Sequence, residues 1–209
     1  MIYFYSGTPG SGKSLHVAQE IYDSLRCGKN VIANFQINEK AVKPLWRRKK
    51  GSFICVDNWE LNTDGLIGFA NNFHKKNADG NIIEGQTLLI LDECQLIFNA
   101  RSWNEKGRNL WNSFFTQHRK YGYDVILVSQ FDRLVDRQIR SLIEYELKHR
   151  KINNFKFFGQ VLGLLSGGAL FCYVTYWYGV KEKINVTFFR GQKRYYNLYN
   201  SYKLFENAS

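Results

Sequence analysis

Through the first two thirds of the chain, short apolar runs alternate with stretches whose apolar residues recur at helical spacing. Ile2 to Tyr5 reads as a strand, and it is followed by KSLHVAQEIYDSL, where Leu15, Ala18, Ile21, Tyr22 and Leu25 fall on one helix face. NVIANF and SFICVD read as further strands. QTLLILDE is a wholly apolar strand of the kind covered on both faces in a parallel sheet. NLWNSFFTQHRKYG is helical up to Gly122, and YDVILVSQ is another buried strand. The alternation predicts an α/β fold over residues 1–150, with a mainly parallel sheet flanked by helices on both sides.

After about residue 150 the pattern changes. ALFCYVTYWYG, KINVTFFRG and KRYYNLYNSYKLF are aromatic and β-branched with glycine-containing breaks, which predicts a small β-rich, antiparallel extension over 151–209 packed on the core. Residues 157–180 carry no charge and are long enough to cross a bilayer. Gly159, Gly163, Gly167 and Gly168 interrupt the first half and the second half is strand-like, so a helix or loop entering a buried strand is expected rather than a span.

Charge narrows the partners. Lys and Arg number 29 against 18 Asp and Glu, a formal +11, which suits phosphate-rich partners, either nucleic acid or anionic headgroups. Clusters at Arg47 to Lys50 and Lys148 to Lys151 are expected to be exposed, whether as binding patches or as solvated faces. Cys27, Cys55, Cys94 and Cys172 show no metal-binding spacing and are expected to be reduced core thiols. No positively charged segment precedes an apolar one at the start, so a secretory signal is not expected.

The chemistry is concentrated in Gly7-Thr8-Pro9-Gly10-Ser11-Gly12-Lys13-Ser14, which fits G-x-x-x-x-G-K-[ST] between a strand and an amphipathic helix. Glycines let backbone amides converge on an anion at a helix start, and the expected nucleotide-binding stretch runs on to Leu15. Lys13 would reach the β- and γ-phosphates, and the Ser14 hydroxyl would hold Mg2+. The partner acid belongs at the end of a buried apolar strand, and TLLILDE supplies Asp92 for the metal and Glu93 to orient or deprotonate water. The other reading of Asp92 is a helix cap. An Asp-Glu pair there favours hydrolysis over phosphate transfer to a metabolite, for which water would be excluded. Gln130, closing the YDVILVSQ strand, either senses the γ-phosphate, positions water, or simply ends a strand. No N-K-x-D stretch appears, which favours ATP over GTP.

Beyond it, Asp132 is expected to cap a helix with Arg133, Arg137 and Arg140 on one face. These arginines suit a finger toward a neighbouring subunit's phosphate, a groove for a nucleic-acid backbone, or a solvated face paired with Asp136 and Glu144.

With those residues placed, the chain resembles the nucleotide-binding domain of filamentous-phage assembly proteins and the zonula occludens toxin family. The resemblance spans nearly all of the chain and rests on GTPGSGKS, LDECQLIFNARSWNEKGR, HRKYGYDVILVSQ, FDRLVDRQIRS and GQKRYYNLYNSYKLF, with Arg101, Ser102 and Trp103 its most family-specific part. It implies a P-loop ATPase at the cytoplasmic face of the inner membrane that energises assembly and export of single-stranded phage DNA as coat proteins are added. It also implies kinship with ring-forming DNA translocases, and a membrane span later than NLYNSYK, so that these residues would be the cytoplasmic part of a longer chain. Toxin activity would belong to a different, C-terminal part. A packaging or plasmid-transfer ATPase, or a nucleotide-regulated membrane scaffold with little hydrolysis, are the competing expectations.

Overall fold

Strands that are apolar on both faces need cover on both faces, and the chain arranges this around one sheet. A computed structural model of the protein describes residues 1–45, 49–100, 107–152 and 170–199. Strand β1 (Ile2–Ser6) leads to helix α1 (Lys13–Arg26), followed by β2 (Asn30–Ala33) and β3 (Phe53–Cys55). Helix α2 (Thr63–Phe73), β4 (Thr87–Leu91), α3 (Arg108–Gln117) and β5 (Tyr123–Val128) come next. Then follow α4 (Arg137–Ser141), β6 (Tyr145–Lys151), β7 (Leu170–Trp177), β8 (Glu182–Arg190) and α5 (Lys193–Tyr196). The eight described strands lie in the order β3-β2-β4-β5-β1-β6-β7-β8. All pairings from β3 to β6 are parallel; β7 and β8 continue the same sheet antiparallel beyond β6.

The order has a direct functional consequence. β5 lies between β1 and β4, with Tyr5 opposite Val128 and Leu127 opposite Leu91. The loop after β1, the acids after β4 and Gln130 after β5 therefore leave the same carboxyl edge of the sheet, where open α/β sheets bind their ligands.

Burial follows the two-residue period of a strand even where the sequence is uniformly apolar. In β4, Leu88 and Ile90 face the core shared with α1, while Leu89 and Leu91 face the core formed with α2 and α3. Ile21 and Leu25 of α1 are fully buried on the first side, and Phe114 and Phe115 of α3 on the second.

Several expectations change. Helix α2 is not announced by apolar spacing, because Gly65 and Gly68 break its stripe; it starts where Asn62 Oδ1 accepts from the Gly65 amide at 2.8 Å. The arginine helix starts later than expected. Asp132–Leu134 is a single 3-10 turn, Val135 is extended and buried, and Asp136, not Asp132, caps α4 by accepting from the Gln138 amide at 2.9 Å. Arg133 is thereby removed from the face of Arg137 and Arg140. The pairings with Asp136 and Glu144 also differ: Asp136 binds Arg108, Glu144 binds Arg119, and Arg140 stands 3.9 Å from Asp132.

The Lys148 to Lys151 cluster is not a uniformly exposed patch. It lies on β6, where Leu147 and His149 point into the core and Lys148 and Arg150 point out. In the first cluster, Arg47 and Arg48 lie outside the described residues, and Lys50 is paired with Glu39. The described part of the stretch from Lys193 does not form an antiparallel strand; it begins as helix α5 and then runs through buried Leu198 and Tyr199, and residues 200–209 lie outside the described ones. Cys94 and Cys172 are buried, but Cys27 and Cys55 are exposed, so the cysteines are not uniformly core thiols. Of the uncharged segment 157–180, residues 157–169 lie outside the described ones and 170–177 are strand β7. Among the described residues, no helix is long and apolar enough to cross a membrane.

Arg108 and Asp136 form an ion pair of 2.6 Å in which each side chain is only 8% exposed, joining α3 to α4. Removing one partner takes an opposite charge away from a side chain largely withdrawn from water. Asp136→Ala is expected to destabilise the protein by about 3 kcal/mol in urea unfolding, since it also uncaps α4. The paired apolar replacement Arg108→Met with Asp136→Leu should recover the part of that loss that comes from the broken ion pair, but not the part from the lost cap.

Candidate nucleotide-binding site

The loop after β1 adopts a path that side chains would obstruct. Gly7, Gly10 and Gly12 have φ of 137°, 72° and 98°. A Cβ at Gly7 would lie 2.6 Å from the His149 carbonyl oxygen, and one at Gly12 would lie 2.6 Å from the Phe171 ring. The loop is closed by Ser11 N donating to Thr8 O at 3.1 Å and is tied to β5 by Gly7 N donating to Gln130 O at 3.3 Å.

Helix α1 opens from this loop with no side-chain cap. Its first intrahelical bond runs from His16 N to Gly12 O, so the amides of Lys13, Ser14 and Leu15 have no helical acceptor and converge at the positive end of the dipole. The Leu15 side chain is buried in the core, so that residue offers the site only its backbone. Lys13 Nζ arches back over the loop, donating to Gly7 O at 2.7 Å and Thr8 O at 3.3 Å. Burial lowers its pKa, while Glu93 and Asp92 act in the opposite direction. Ser11 Oγ is buried with no hydrogen-bond partner among the described residues.

Across β5, Asp92 is 9% exposed at the end of β4. Asn34, just beyond β2, grips its backbone on both sides: Asp92 N donates to Asn34 Oδ1 at 2.7 Å and Asn34 Nδ2 donates to Asp92 O at 2.8 Å. The Asp92 carboxylate accepts from Glu93 N on Oδ1 at 2.9 Å and from the Tyr199 hydroxyl on Oδ2 at 2.7 Å. Burial raises its pKa, and those two donors oppose the rise. Asp92 does not cap a helix, since the next element is one 3-10 turn at Cys94–Leu96. Glu93 lies in the left-handed region at φ 46°, a conformation costing an ordinary residue about 1 kcal/mol, and its carboxylate accepts from Gln95 Nε2. A buried acid, a lysine and a cradle of amides make a donor set that fits a triphosphate with Mg2+.

Gln130 lines a cleft with Ser6, Gly7, Thr8, His149 and Arg150. Arg133 lies in an adjoining groove with Lys148 and Tyr178, and Arg137 is exposed. Arg101, Ser102 and Trp103 lie outside the described residues.

Four residues that touch this site were given no part in it by the sequence: Asn34, His149, Phe171 and, within the closing segment that carries the resemblance, Tyr199. His149, 2% exposed, sits under the loop, with Nε2 2.9 Å from His16 Nδ1 and Nδ1 3.3 Å from Ser6 O. His16 in turn stacks between Tyr5 and Tyr173. The sequence signal for His149 is its two-residue spacing from Leu147 in a strand whose alternate residues are charged.

Comparison with known proteins gives the family and the fold. The family model described as "Zonular occludens toxin (Zot)" matches residues 1–203. The Gene 1 protein of Enterobacteria phage M13 is 30% identical over 174 residues, covering 81% of this chain and 48% of that protein. This chain thus spans about half the length of the curated relatives it matches. The N-terminal domain of zonular occludens toxin from Neisseria meningitidis superposes with a TM-score of 0.55 at 19% identity, covering 95% of this chain and 98% of that one. The genome packaging NTPase B204 from Sulfolobus turreted icosahedral virus 2, solved with ATP-gammaS, superposes with a TM-score of 0.51 at 15% identity, covering 90% and 96%. The fold is that of the P-loop NTPases.

Burial, with the neighbouring His16, holds the His149 pKa down at about 3, so the folded protein keeps this imidazole neutral where the unfolded chain protonates it. Stability is therefore expected to fall as pH drops below about 6.5, with a slope approaching 1.4 kcal/mol per pH unit from this residue. In urea unfolding at pH 6.5 and pH 5, His149→Gln should lose about 2 kcal/mol less than the wild type over that interval. Parallel losses would contradict this assignment.

Proposed function

The chain belongs to the zonular occludens toxin family, and from that premise we propose that it is the ATP-hydrolysing part of a motor for filamentous-phage assembly. The observation that supports this best is the convergence at one sheet edge of the glycine loop, Lys13 and the buried Asp92 with Glu93. The loop amides not already bonded within the protein, with those of Lys13, Ser14 and Leu15 at the helix start, would grip the phosphates, and Lys13 would leave the Gly7 and Thr8 carbonyls to reach the β- and γ-phosphates. Ser14 and Asp92 are the residues that would hold Mg2+, which when bound neutralises charge on the phosphates. Glu93 would orient the attacking water and accept its proton, and Gln130, tied to Gly7 through its own carbonyl, would sense the terminal phosphate or position water.

The substrate of the motor would be single-stranded phage DNA, with coat and assembly proteins as partners, at the cytoplasmic face of the membrane through a segment beyond NLYNSYK. The basic charge of the chain and the phage origin of its relatives favour this reading. A ring of subunits would let Arg133, Arg137 or Arg140 act on a neighbour's phosphate, with Arg133 separated from the other two by the break at Val135.

Steady-state hydrolysis tests the proposal. Glu93→Gln is expected to lower kcat by at least about 100-fold while retaining nucleotide binding, and Lys13→Ala to weaken binding itself. Unchanged turnover in Glu93→Gln would favour a scaffold. Stimulation by single-stranded DNA that falls steeply with salt would favour a DNA translocase, and stimulation by coat protein the assembly role.

A further inference from the structure

The last described residue, Tyr199, reaches a carboxylate more than one hundred positions away in sequence. Its hydroxyl donates to Asp92 Oδ2 at 2.7 Å, and both residues are largely withdrawn from water, at 7% and 9% exposure. Among the described residues it is the only side chain that donates to that carboxylate; the other oxygen is held by the neighbouring Glu93 amide. Tyr199 is itself fixed by a strap. From the edge strand β8 the chain enters α5, where Tyr195 meets Tyr22 of α1 edge-on at 5.7 Å. It then passes the segment after β2, where Asn38 N donates to Leu198 O at 2.8 Å and the Tyr199 ring lies 4.3 Å from Phe35. The strap thus crosses α1 and brings a phenol to the acid.

We infer that Tyr199 is a positioning residue that holds the Asp92 carboxylate in register for the metal, coupling the seating of strap 193–199 to occupancy of the nucleotide site. The inference rests on the reading of Asp92 as a magnesium-binding acid. A phenol donor occupies one lone pair and fixes the rotation of the carboxylate, leaving the remaining lone pairs aimed; groups placed in this way around metal sites commonly change metal affinity by about 10- to 100-fold. Coupling of this kind is reciprocal, so bound metal and nucleotide must stabilise the strap by the same free energy with which the strap favours their binding.

Tyr199→Phe keeps the ring against Phe35 and removes only the hydroxyl. Binding of a fluorescent, non-hydrolysable ATP analogue is to be titrated against Mg2+ and also measured in EDTA. The variant is expected to need about 10-fold more Mg2+ for half-maximal binding, with EDTA binding unchanged. A merely structural role would lower the thermal midpoint and leave the Mg2+ requirement alone. In the wild type, hydrogen exchange of residues 195–199 should slow with Mg2+ and the analogue together, but not with the analogue in EDTA. An unaltered Mg2+ requirement in the variant, or strap exchange indifferent to Mg2+, overturns the role of Tyr199. Wild-type binding that ignores Mg2+, or Asp92→Asn binding that keeps its full Mg2+ dependence, overturns the metal reading of Asp92 and this inference with it.

Discussion

A carboxylate taken out of water at the end of β4 has to be compensated by neighbours, and much of the site can be understood as that compensation. Asn34 from the end of β2 fixes the Asp92 backbone, the Glu93 amide and the Tyr199 hydroxyl fix its side chain, and Lys13 supplies the opposite charge from across β5. Four segments distant in sequence are thereby committed to one geometry. Desolvation by itself would favour the protonated acid, and the donors work to keep an anion there.

The parts of this arrangement that were legible in the sequence are those where backbone demands leave few residue choices. GTPGSGKS announces itself because its positive φ values and close approaches to His149 and Phe171 admit only glycine at Gly7 and Gly12. β4 and β5 are legible because covered strands read as unbroken apolar runs. The rest depends on tertiary partners. β6 reads as a basic cluster because its outward residues are charged, although its inward ones carry the loop's support. Asn34 and Tyr199 are an ordinary polar residue and an ordinary aromatic until the chain brings them to Asp92. The misplaced arginine helix has a local cause: Asp132 and Asp136 are both suitable caps by type, and the burial of Val135 decides between them.

Insertion of β5 between β1 and β4 sets which segments meet at the sheet edge. A strand in that position delivers its terminal residues between the loop and the acids, and the Gln130 carbonyl is already bonded to the first glycine of the loop. A displacement at Gln130 is thus felt by Gly7 without an intermediary. On the other side of β1, β6 presses His149 beneath the same glycine, and β7 sets Phe171 against Gly12, so the antiparallel strands form part of the loop's bed.

Glu93 illustrates what such a site asks of its host. A residue selected for folding alone at a left-handed backbone angle would be glycine or asparagine, and a glutamate there holds its conformation against its own preference. The position is a small standing trade between durability and placement: relaxing the backbone would make a sturdier protein whose Glu93 no longer left the sheet edge in the same direction.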